Sequence, residues 1–270
     1  LCICKNKLSK KINFGNLPLI NNYKSKKNLK KYPVIVTQCD ECLLIQLKYS
    51  VSDKLLFPKN YSYLSGNSKE KLNNFASILN KIKKITKKNN PKILDIGSND
   101  GSFLKLAKKD FTKVLGIEPT DTADLSIKKG ISTIKKPLNI KLAKKIVYKH
   151  SSFDFIVATN FFAQTNHLVE ILNSVKIILN KDGFLIVEVQ YLYDVLNQKG
   201  FDSFHHEHIA YYTASSIKKL LNKFNLYVFD AERLKVHGGI LRVYISLKNK
   251  PITKNLQKIL NSENDKNTIS

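Results

Sequence analysis

Lys92-Ile-Leu-Asp-Ile-Gly-Ser-Asn-Asp-Gly101 is an apolar run that ends in a glycine-bearing turn. The apolar run predicts a buried strand, and the pattern acid-x-Gly-x-x-x-Gly predicts a turn in which the backbone at Gly97 and Gly101 approaches a ligand closely. Residues 102–107, Ser-Phe-Leu-Lys-Leu-Ala, have the spacing of a buried helix face. A strand, a glycine turn and a helix in this order are typical of a Rossmann-like α/β domain that cradles a cofactor.

The residue types in this turn favour one class of cofactor. Asn99 stands where a dinucleotide fingerprint would have a further glycine, and a side chain there would keep a pyrophosphate away from the backbone. The turn therefore indicates S-adenosylmethionine rather than NAD. The next predicted strand, residues 114–118, ends in Glu118, at about the 20-residue offset from the first acid at which a carboxylate meets ribose hydroxyls. The candidate cofactor residues from this pattern are Asp95, Gly97, Asn99, Gly101 and Glu118.

Strand and helix patterns alternate along the middle of the chain. Residues 72, 75, 79 and 82 are apolar at helical spacing and predict an amphipathic helix over about 69–88, and a second helical pattern covers 167–179. The strand candidates are residues 92–96, 114–118, 131–134, 154–159 and 183–190. This alternation predicts a parallel sheet covered on both faces, in a domain spanning residues 69–200.

The two ends of the chain have a different character. Residues 1–65 hold all four cysteines and short β-like runs, which indicates a small separate module. Residues 201–270 begin with a polar, histidine-bearing stretch and continue with a predicted helix at 213–224 and strands at 226–232 and 239–247. We expect this last region to be a catalytic loop followed by the start of an incomplete C-terminal α/β domain.

The four cysteines have the spacing of a metal site. Cys39 and Cys42 would place two thiolates on one turn, and Cys2 and Cys4 would supply the other face of a tetrahedral zinc site. Four sulfur ligands leave no position for water, so the zinc would be structural. The alternative, left open at this point, is that the cysteines are unligated or that a further ligand precedes Leu1.

Composition limits the function classes. The chain has 270 residues and a formal net charge of +25, which would ordinarily suggest nucleic acid. Nearly all of the basic residues are lysines spread along the sequence, and lysine lacks the guanidinium fork that reads phosphate and bases, so a nucleic-acid partner is not expected. No apolar stretch approaches the ~20 residues of a membrane span, and no secretion signal is evident. We expect a cytoplasmic protein without a membrane partner and, because the chain lacks methionine, a fragment of a longer one.

Candidate catalysts concentrate in one short segment. His205, His206 and His208 are three of the chain's six histidines, and Glu207 stands among them. A histidine can accept a carbon-bound proton that a neighbouring carbonyl has made acidic, and a glutamate can orient the ring. Metal binding fits less well, because the i, i+4 pair that places two imidazoles on one helix face is missing. Solvent-exposed loop histidines remain the third alternative.

Several segments, in order along nearly the whole chain, resemble the zinc-domain, S-adenosylmethionine-dependent sugar C-methyltransferases, which act on nucleotide-linked keto-deoxysugars. The segments are Cys39-Asp-Glu-Cys-Leu-Leu-Ile-Gln-Leu47, Tyr61-Ser-Tyr-Leu-Ser65, Leu94-Asp-Ile-Gly-Ser-Asn-Asp-Gly101, Gly116-Ile-Glu-Pro119, Asn160-Phe-Phe-Ala163, His206-Glu-His208 and His237-Gly-Gly-Ile-Leu-Arg242. The resemblance implies a Rossmann-like class I methyltransferase domain with a small N-terminal zinc-binding module that closes over the sugar. It also implies a C-terminal domain that helps to bind the nucleotide, and we expect that domain to be truncated here.

The resemblance also implies roles for individual residues. His208 would be the base that removes a proton next to the sugar ketone, with Glu207 close by and Tyr63 from the Tyr-x-Tyr segment. His205 occupies a position where the family has tyrosine, and Asn160 joins the cofactor residues. Two other functions are kept as alternatives: a methyltransferase that acts on RNA or another small molecule, and a non-catalytic module that binds zinc and S-adenosylmethionine. The sequence does not fix the oligomeric state.

Overall fold

A computed structural model describes residues 2–20, 29–58, 61, 63–236 and 238–264. Its strands are β1 (Leu8–Pro18), β2 (Lys31–Cys39), β3 (Ile45–Leu47), β4 (Ile93–Ile96), β5 (Val114–Ile117), β6 (Thr133–Ile134), β7 (Phe153–Thr159), β8 (Leu179–Gln190), β9 (Ala210–Tyr211), β10 (Tyr227–Leu234) and β11 (Ile240–Ser246). Its helices are α1 (Asp53–Leu56), α2 (Lys69–Ile85), α3 (Ser102–Ala107), α4 (Thr122–Lys128), α5 (Ile140–His150), α6 (Leu168–Ile178), α7 (Leu192–Asn197), α8 (Ala214–Asn222) and α9 (Lys254–Asn264), with 3-10 turns at Ser65–Asn67 and Phe201–Ser203. Within these ranges, no helix combines the length and the apolar character needed to cross a membrane.

The centre of the fold is a seven-stranded sheet with the order β10-β11-β8-β7-β4-β5-β6. β4 pairs in parallel with β5 and β7, β5 pairs in parallel with β6, and β7 pairs in parallel with β8, as predicted from the alternation of strands and helices. β11 is antiparallel to both β8 and β10, so the sheet is mixed rather than purely parallel. The reason is the short connection between β10 and β11, which forms a hairpin and cannot return the chain in parallel.

The predicted boundary at residue 200 does not coincide with an edge of this sheet. β10 and β11 lie beyond that boundary, yet β11 pairs directly with β8, and α8 and α9 pack against β10. The region expected to begin a C-terminal domain therefore completes the central sheet. His237, in the predicted His-Gly-Gly segment, lies outside the described residues, as do Leu1 and Ser62.

A second, four-stranded sheet has the order β1-β2-β3-β9 and contains the N-terminal module. Its last strand, β9, comes from the other end of the chain and pairs antiparallel with β3, so that Ala210 faces Gln46 and Tyr211 faces Ile45. β9 begins two residues after His208. The histidine-bearing segment therefore runs directly into the sheet of the N-terminal module.

The amphipathic helix predicted over 69–88 forms as α2 and ends at Ile85. Ser68 caps its first turn by accepting a hydrogen bond from the backbone of Lys71 at 3.2 Å. The helix buries Phe75, Ile78, Leu79 and Ile82 against residues of β4, β7, β8 and β11. Each such side chain stabilises the fold by about 1.5–3 kcal/mol when removed from water. This packing holds the first turn of α2 next to the carboxyl ends of the parallel strands.

Candidate active site

The glycine turn after β4 has a left-handed backbone that fits the predicted close approach of a ligand. Gly97, Asn99 and Gly101 have φ angles of 72°, 49° and 76°, in the left-handed region that glycine adopts most easily. A Cβ atom on Gly97 would lie only 2.8 Å from Cδ2 of Phe161. The backbone N–H of Gly97 donates to the carbonyl of Ile117 at 2.9 Å, which ties the turn to β5. The backbone at Gly97 is therefore fixed and bare.

Two buried acids stand at the ends of neighbouring strands beside this turn. The carboxylate of Glu118 accepts hydrogen bonds from the backbone of Asn99 at 3.0 Å and of Thr120 at 2.9 Å. Asp95 is buried, and this burial, followed by the charge of Glu118, raises the pKa of Asp95 well above its usual range. Two acids at adjacent strand ends can bind ligand hydroxyl groups and a ligand cation.

Asn99 uses its side chain within the protein. Its Oδ1 accepts a hydrogen bond from the backbone of Ser65 at 2.9 Å, and its Nδ2 donates to the carbonyl of Tyr63 at 3.0 Å. The side chain thus fastens the segment before α2 onto the glycine turn. Asn99 can still present its backbone to a cofactor.

The two tyrosines before α2 occupy different surroundings. The side chain of Tyr63 is 47% exposed, and burial of the remainder, with the charge of Asp100, raises its pKa. The pKa of Tyr61 is raised by burial and then by the charges of Glu207, Tyr63 and Glu118. The charges of Glu207 and Glu118 thus act on Tyr61, and the role of Tyr63 stays a prediction.

The histidine loop and the segment after β7 meet at a small cavity of about 110 Å³. The cavity is lined by Asn160, Ala163, Gln190, His208 and Ile240. The loop is fixed there because the backbone N–H of Ile209 donates to the carbonyl of Ala163 at 2.7 Å. The structure thus brings together two residues that the sequence analysis assigned to different roles, His208 and Asn160.

His208 has a defined tautomer. Its Nδ1 lies 3.3 Å from the backbone carbonyl of Ser203, which can only accept a hydrogen bond. In the neutral ring Nδ1 therefore carries the proton, and the lone pair is on Nε2. Burial lowers the pKa of His208, while the Ser203 carbonyl opposes this shift. The result is a neutral imidazole that can act as a base at and below neutral pH.

The neighbours of His208 differ in what they contact. The ring of His205 lies 4.2 Å from that of His208, and burial together with the charges of His208 and His206 lowers the pKa of His205 to about 3. His206 is buried, with Nε2 3.1 Å from the carbonyl of Tyr32, so it anchors the loop to the N-terminal sheet. Burial raises the pKa of Glu207. His205 stays uncharged near neutrality, which keeps positive charge away from His208.

Gln190, at the carboxyl end of β8, was not singled out from the sequence. Its Nε2 donates to Oγ of Ser203 at 3.0 Å, so Ser203 holds both the amide of Gln190 and the ring of His208. Its Oε1 is buried and has no hydrogen-bond partner among the described residues. This oxygen belongs to a cavity-lining side chain and can accept a hydrogen bond from a ligand. The sequence signal that could have identified Gln190 is its position at the carboxyl end of a strand in an α/β sheet.

The four predicted zinc ligands lie together in the N-terminal module. The Sγ atoms of Cys2, Cys4, Cys39 and Cys42 are all within 4.8 Å of one another, and the Cys2–Cys42 and Cys4–Cys39 pairs are 3.5 Å apart. Sulfur atoms bound to a tetrahedral zinc at about 2.3 Å are separated by about 3.8 Å. The cluster therefore fits a structural zinc ion, with Cys2 included.

A larger cavity, of about 410 Å³, lies at the opposite edge of the central sheet. It is lined by residues at the amino ends of β4, β5 and β7, among them Lys92, Lys113 and Phe153. None of the predicted site residues lines it. Ligands of open α/β sheets bind at the carboxyl ends of the strands, so the smaller cavity at His208 is the one that belongs to the candidate active site.

Two protein-family models match the chain. One, described as a methyltransferase domain, matches residues 69–231, and the other, described as a zinc-binding domain, matches residues 2–57. The first model extends past the predicted boundary at residue 200 and includes the histidine loop. The two matches divide the chain close to residue 65, where the sequence analysis divides it.

The chain is also similar to a curated protein, the C-methyltransferase NovU of Streptomyces niveus. The two are 26% identical over 239 residues, which cover 86% of this chain and 57% of NovU. The chain thus spans a little over half the length of that relative.

Solved structures of low sequence identity share the fold. The plantazolicin methyltransferase BpumL, solved in complex with a pentazolic desmethylPZN analog and SAH, has a TM-score of 0.52 at 14% identity, over 67% of this chain and 85% of that one. Magnesium protoporphyrin IX methyltransferase from Synechocystis PCC 6803, solved with bound SAH, has a TM-score of 0.50 at 11% identity, over 65% and 83% of the two chains.

Proposed function

The chain belongs to the methyltransferase-domain family, and from that premise we propose that it transfers a methyl group from S-adenosylmethionine to a carbon atom of a nucleotide-linked keto-deoxysugar. The cofactor follows from the fold. The choice of carbon as acceptor is supported by the similarity to a C-methyltransferase. The sugar class is supported by the segments that resemble sugar C-methyltransferases, from Cys39 to Arg242.

The observation that carries the proposal is the cavity shared by His208 and Asn160. Methylation of carbon next to a ketone requires a base that removes a C–H proton at a point where the methyl donor can be reached. His208 offers an unprotonated Nε2, and Asn160 follows β7 at the edge where the glycine turn and both acids lie. A base and a cofactor edge that meet in one cavity are what such a reaction needs.

The residues of the chain would divide the work as follows. Nε2 of His208 takes the proton from the carbon beside the ketone, and the electron pair of the broken C–H bond moves into an enolate. Glu118 binds the ribose hydroxyls of the cofactor, and Asp95 binds its ammonium group. S-adenosylmethionine, when bound, supplies a methyl group that forms a bond to the enolate carbon as its bond to sulfur breaks, leaving S-adenosylhomocysteine. Holding the reacting groups in a preset geometry can supply several kcal/mol of the barrier.

The four-cysteine site would contribute to the stability of the fold and not to the chemistry. Its sulfur shell has no open coordination position, so the zinc ion stabilises the N-terminal sheet and takes no part in proton transfer. Because that sheet includes β9, its stability bears on the position of the histidine loop.

The test separates proton removal from methyl transfer. A nucleoside-diphosphate-linked keto-deoxysugar is incubated with the protein in heavy water without S-adenosylmethionine, and loss of the proton beside the ketone is followed by NMR. With S-adenosylmethionine added, mass spectrometry measures the gain of one methyl group. We expect both reactions in the unchanged protein, loss of both in His208→Gln, and retention of S-adenosylhomocysteine binding by that variant.

His167→Asn is the matched control, because His167 is an exposed histidine that pairs with Asp53 and does not line the cavity at His208. This variant should exchange and methylate as the unchanged protein does. Methylation of the keto-sugar by His208→Gln at an undiminished rate would refute the role of His208. Methylation of an oxygen or nitrogen atom in place of carbon would refute the proposed reaction.

A further inference from the structure

Lys71 is a buried lysine on the apolar face of α2. Its exposed fraction is 3%, and it lies in line with Phe75, Ile78 and Ile82 on the face that packs against the central sheet. A lysine in such a position is rare unless its charge is matched, because moving an ammonium group out of water is costly. The position of Lys71 therefore calls for a partner.

The described part of the chain offers no direct partner to the Nζ atom of Lys71. The Nζ atom makes no hydrogen bond or ion pair with a described residue, and it lies 5.8 Å from the centroid of the Phe75 ring. The carboxylates whose charges act on Lys71 are Glu188 and Asp95. Glu188 is already engaged by Arg242 Nε at 2.8 Å and by Asn74 Nδ2 at 2.7 Å. Its charge is thus compensated by another cation.

Asp95 is a buried acid that likewise has no direct partner among the described residues. Its side chain is buried at the end of β4 and, among the described residues, has neither a hydrogen bond nor an ion pair. Burial lowers the pKa of Lys71 and raises that of Asp95, although each opposes the shift of the other. Lys71 and Asp95 are thus both buried, and each feels the charge of the other, without forming an ion pair. A ligand that carries both charges can satisfy both residues at once.

The place of Lys71 in the fold says which end of the cofactor it would meet. It lies in the first turn of α2, directly after the Ser65–Asn67 turn that Asn99 fastens to the glycine turn. Glu118, on the β5 side of β4, is the acid for the ribose hydroxyls. Glu188 is on β8, on the other side of β4, so a side chain that faces Asp95 and Glu188 is on the side away from the ribose.

We propose that the ammonium group of Lys71 binds the α-carboxylate of S-adenosylmethionine and of S-adenosylhomocysteine, while Asp95 binds the α-ammonium group. The two side chains together form a site for a zwitterionic amino acid. This inference rests on the cofactor of the proposed function and is independent of the sugar acceptor. It makes Lys71 a residue that selects for an intact methionine moiety.

The test compares two ligands that differ only in the carboxylate. Calorimetry measures the affinity of S-adenosylmethionine and of decarboxylated S-adenosylmethionine for the unchanged protein, for Lys71→Met and for Lys69→Met. Lys69 is an exposed lysine two residues away, so its replacement removes the same charge without changing the proposed carboxylate site. We expect Lys71→Met to weaken S-adenosylmethionine about tenfold to a hundredfold, as for a lost charge-assisted hydrogen bond. Decarboxylated S-adenosylmethionine should bind Lys71→Met and the unchanged protein equally, and Lys69→Met should change neither affinity.

Other outcomes overturn the inference. Equal weakening of both ligands in Lys71→Met would mean that Lys71 supports the site without contacting the carboxylate, and unchanged binding of S-adenosylmethionine would remove Lys71 from the site. The ligand-free Lys71→Met variant should unfold at the same temperature as the unchanged protein or higher, because an unpaired buried charge has been removed. Lys71→Arg, which keeps the charge, should retain part of the preference for the carboxylate. Failure of the unchanged protein to bind S-adenosylmethionine would overturn the proposed function as well.

Discussion

Replacing Arg242 by methionine should destabilise the protein severely, because this arginine joins four elements of the fold. Its side chain is 2% exposed. Its Nε donates to Glu188 at 2.8 Å, its Nη1 donates to Glu232 at 3.2 Å, and its Nη2 donates to Asn74 at 2.9 Å and to Ser77 at 2.7 Å. The guanidinium thus links β11 to α2, β8 and β10.

The magnitude follows from what remains after the change. The carboxylate of Glu188 has no exposed side-chain surface and would retain only the amide of Asn74, whereas Glu232 would retain the ammonium group of Lys81 at 2.8 Å. Removal of one partner of a buried ion pair typically costs 3–5 kcal/mol, so we expect Arg242→Met to lower the free energy of unfolding by about 4 kcal/mol. Adding Glu188→Gln removes the stranded charge and should recover about half of that loss.

Urea unfolding followed by far-ultraviolet circular dichroism measures these free energies, and it suits a chain that has no tryptophan. The control is Lys84→Met at an exposed position of α2, the helix that Arg242 contacts. This change should alter the free energy of unfolding by less than about 0.5 kcal/mol. A loss below about 1 kcal/mol for Arg242→Met would refute the reasoning. So would a double variant whose loss equals the sum of the two single losses, because the pair would then not act as a unit.

Three further predictions concern the base, the metal and the C-terminal helix. Burial lowers the pKa of His208, and its neutral form is the proposed base, so kcat/KM should fall only at acid pH, with a midpoint below the ordinary 6.5. A pH–rate profile with its midpoint at or above that value would contradict this. Cys39→Ser should abolish stoichiometric zinc by elemental analysis and lower the thermal midpoint, and undiminished zinc content would exclude Cys39 as a ligand. Glu263→Gln should lower the free energy of unfolding by about 2–3 kcal/mol. Oε1 of the buried carboxylate accepts hydrogen bonds from Tyr191 Oη and the backbone of Ala214, both at 2.7 Å, and Oε2 accepts from the backbone and Oγ of Ser215 at 2.9 and 2.6 Å. The amide oxygen can serve one of these two pairs, and the amide nitrogen cannot accept the other. Thermal unfolding checks it, and a midpoint within about 1 °C of the unchanged protein would contradict it.

The parts of the fold that depend on local sequence were predictable. The glycine turn, the acid at the end of β5 and the alternation of strands and helices are all encoded in short segments, and the central sheet with its helices confirms the predicted fold class. The place of β11 in that sheet was not predictable in the same way. Pairing between β8 and β11 joins residues far apart in sequence, and no local pattern indicates which strand a hairpin will join.

The candidate site was predictable to the extent that its residues stand at strand ends or in rare clusters. His208 and Asn160 are such residues, and their shared cavity keeps the predicted roles open to test. The sequence analysis did not single out Gln190 or Lys71, the residue that we propose to bind the cofactor carboxylate, although a lysine on the apolar stripe of a predicted amphipathic helix is an exception to the pattern. The difference between Tyr61 and Tyr63 could not be foreseen, because it depends on how the segment before α2 is fastened to the glycine turn.

The pairing of β9 limits how a substrate can enter. β9 is hydrogen-bonded to β3 in the N-terminal sheet, while the adjacent Ile209 and Tyr212 are hydrogen-bonded to Ala163 and Phe162, which follow β7 of the central sheet. The segment that carries His208 is therefore hydrogen-bonded both to the N-terminal sheet and to the segment after β7. A rigid-body rotation of the N-terminal module would break these hydrogen bonds or displace His208 from its cavity. We therefore expect ligands to reach the cavity at His208 through small loop displacements, with the two sheets staying joined.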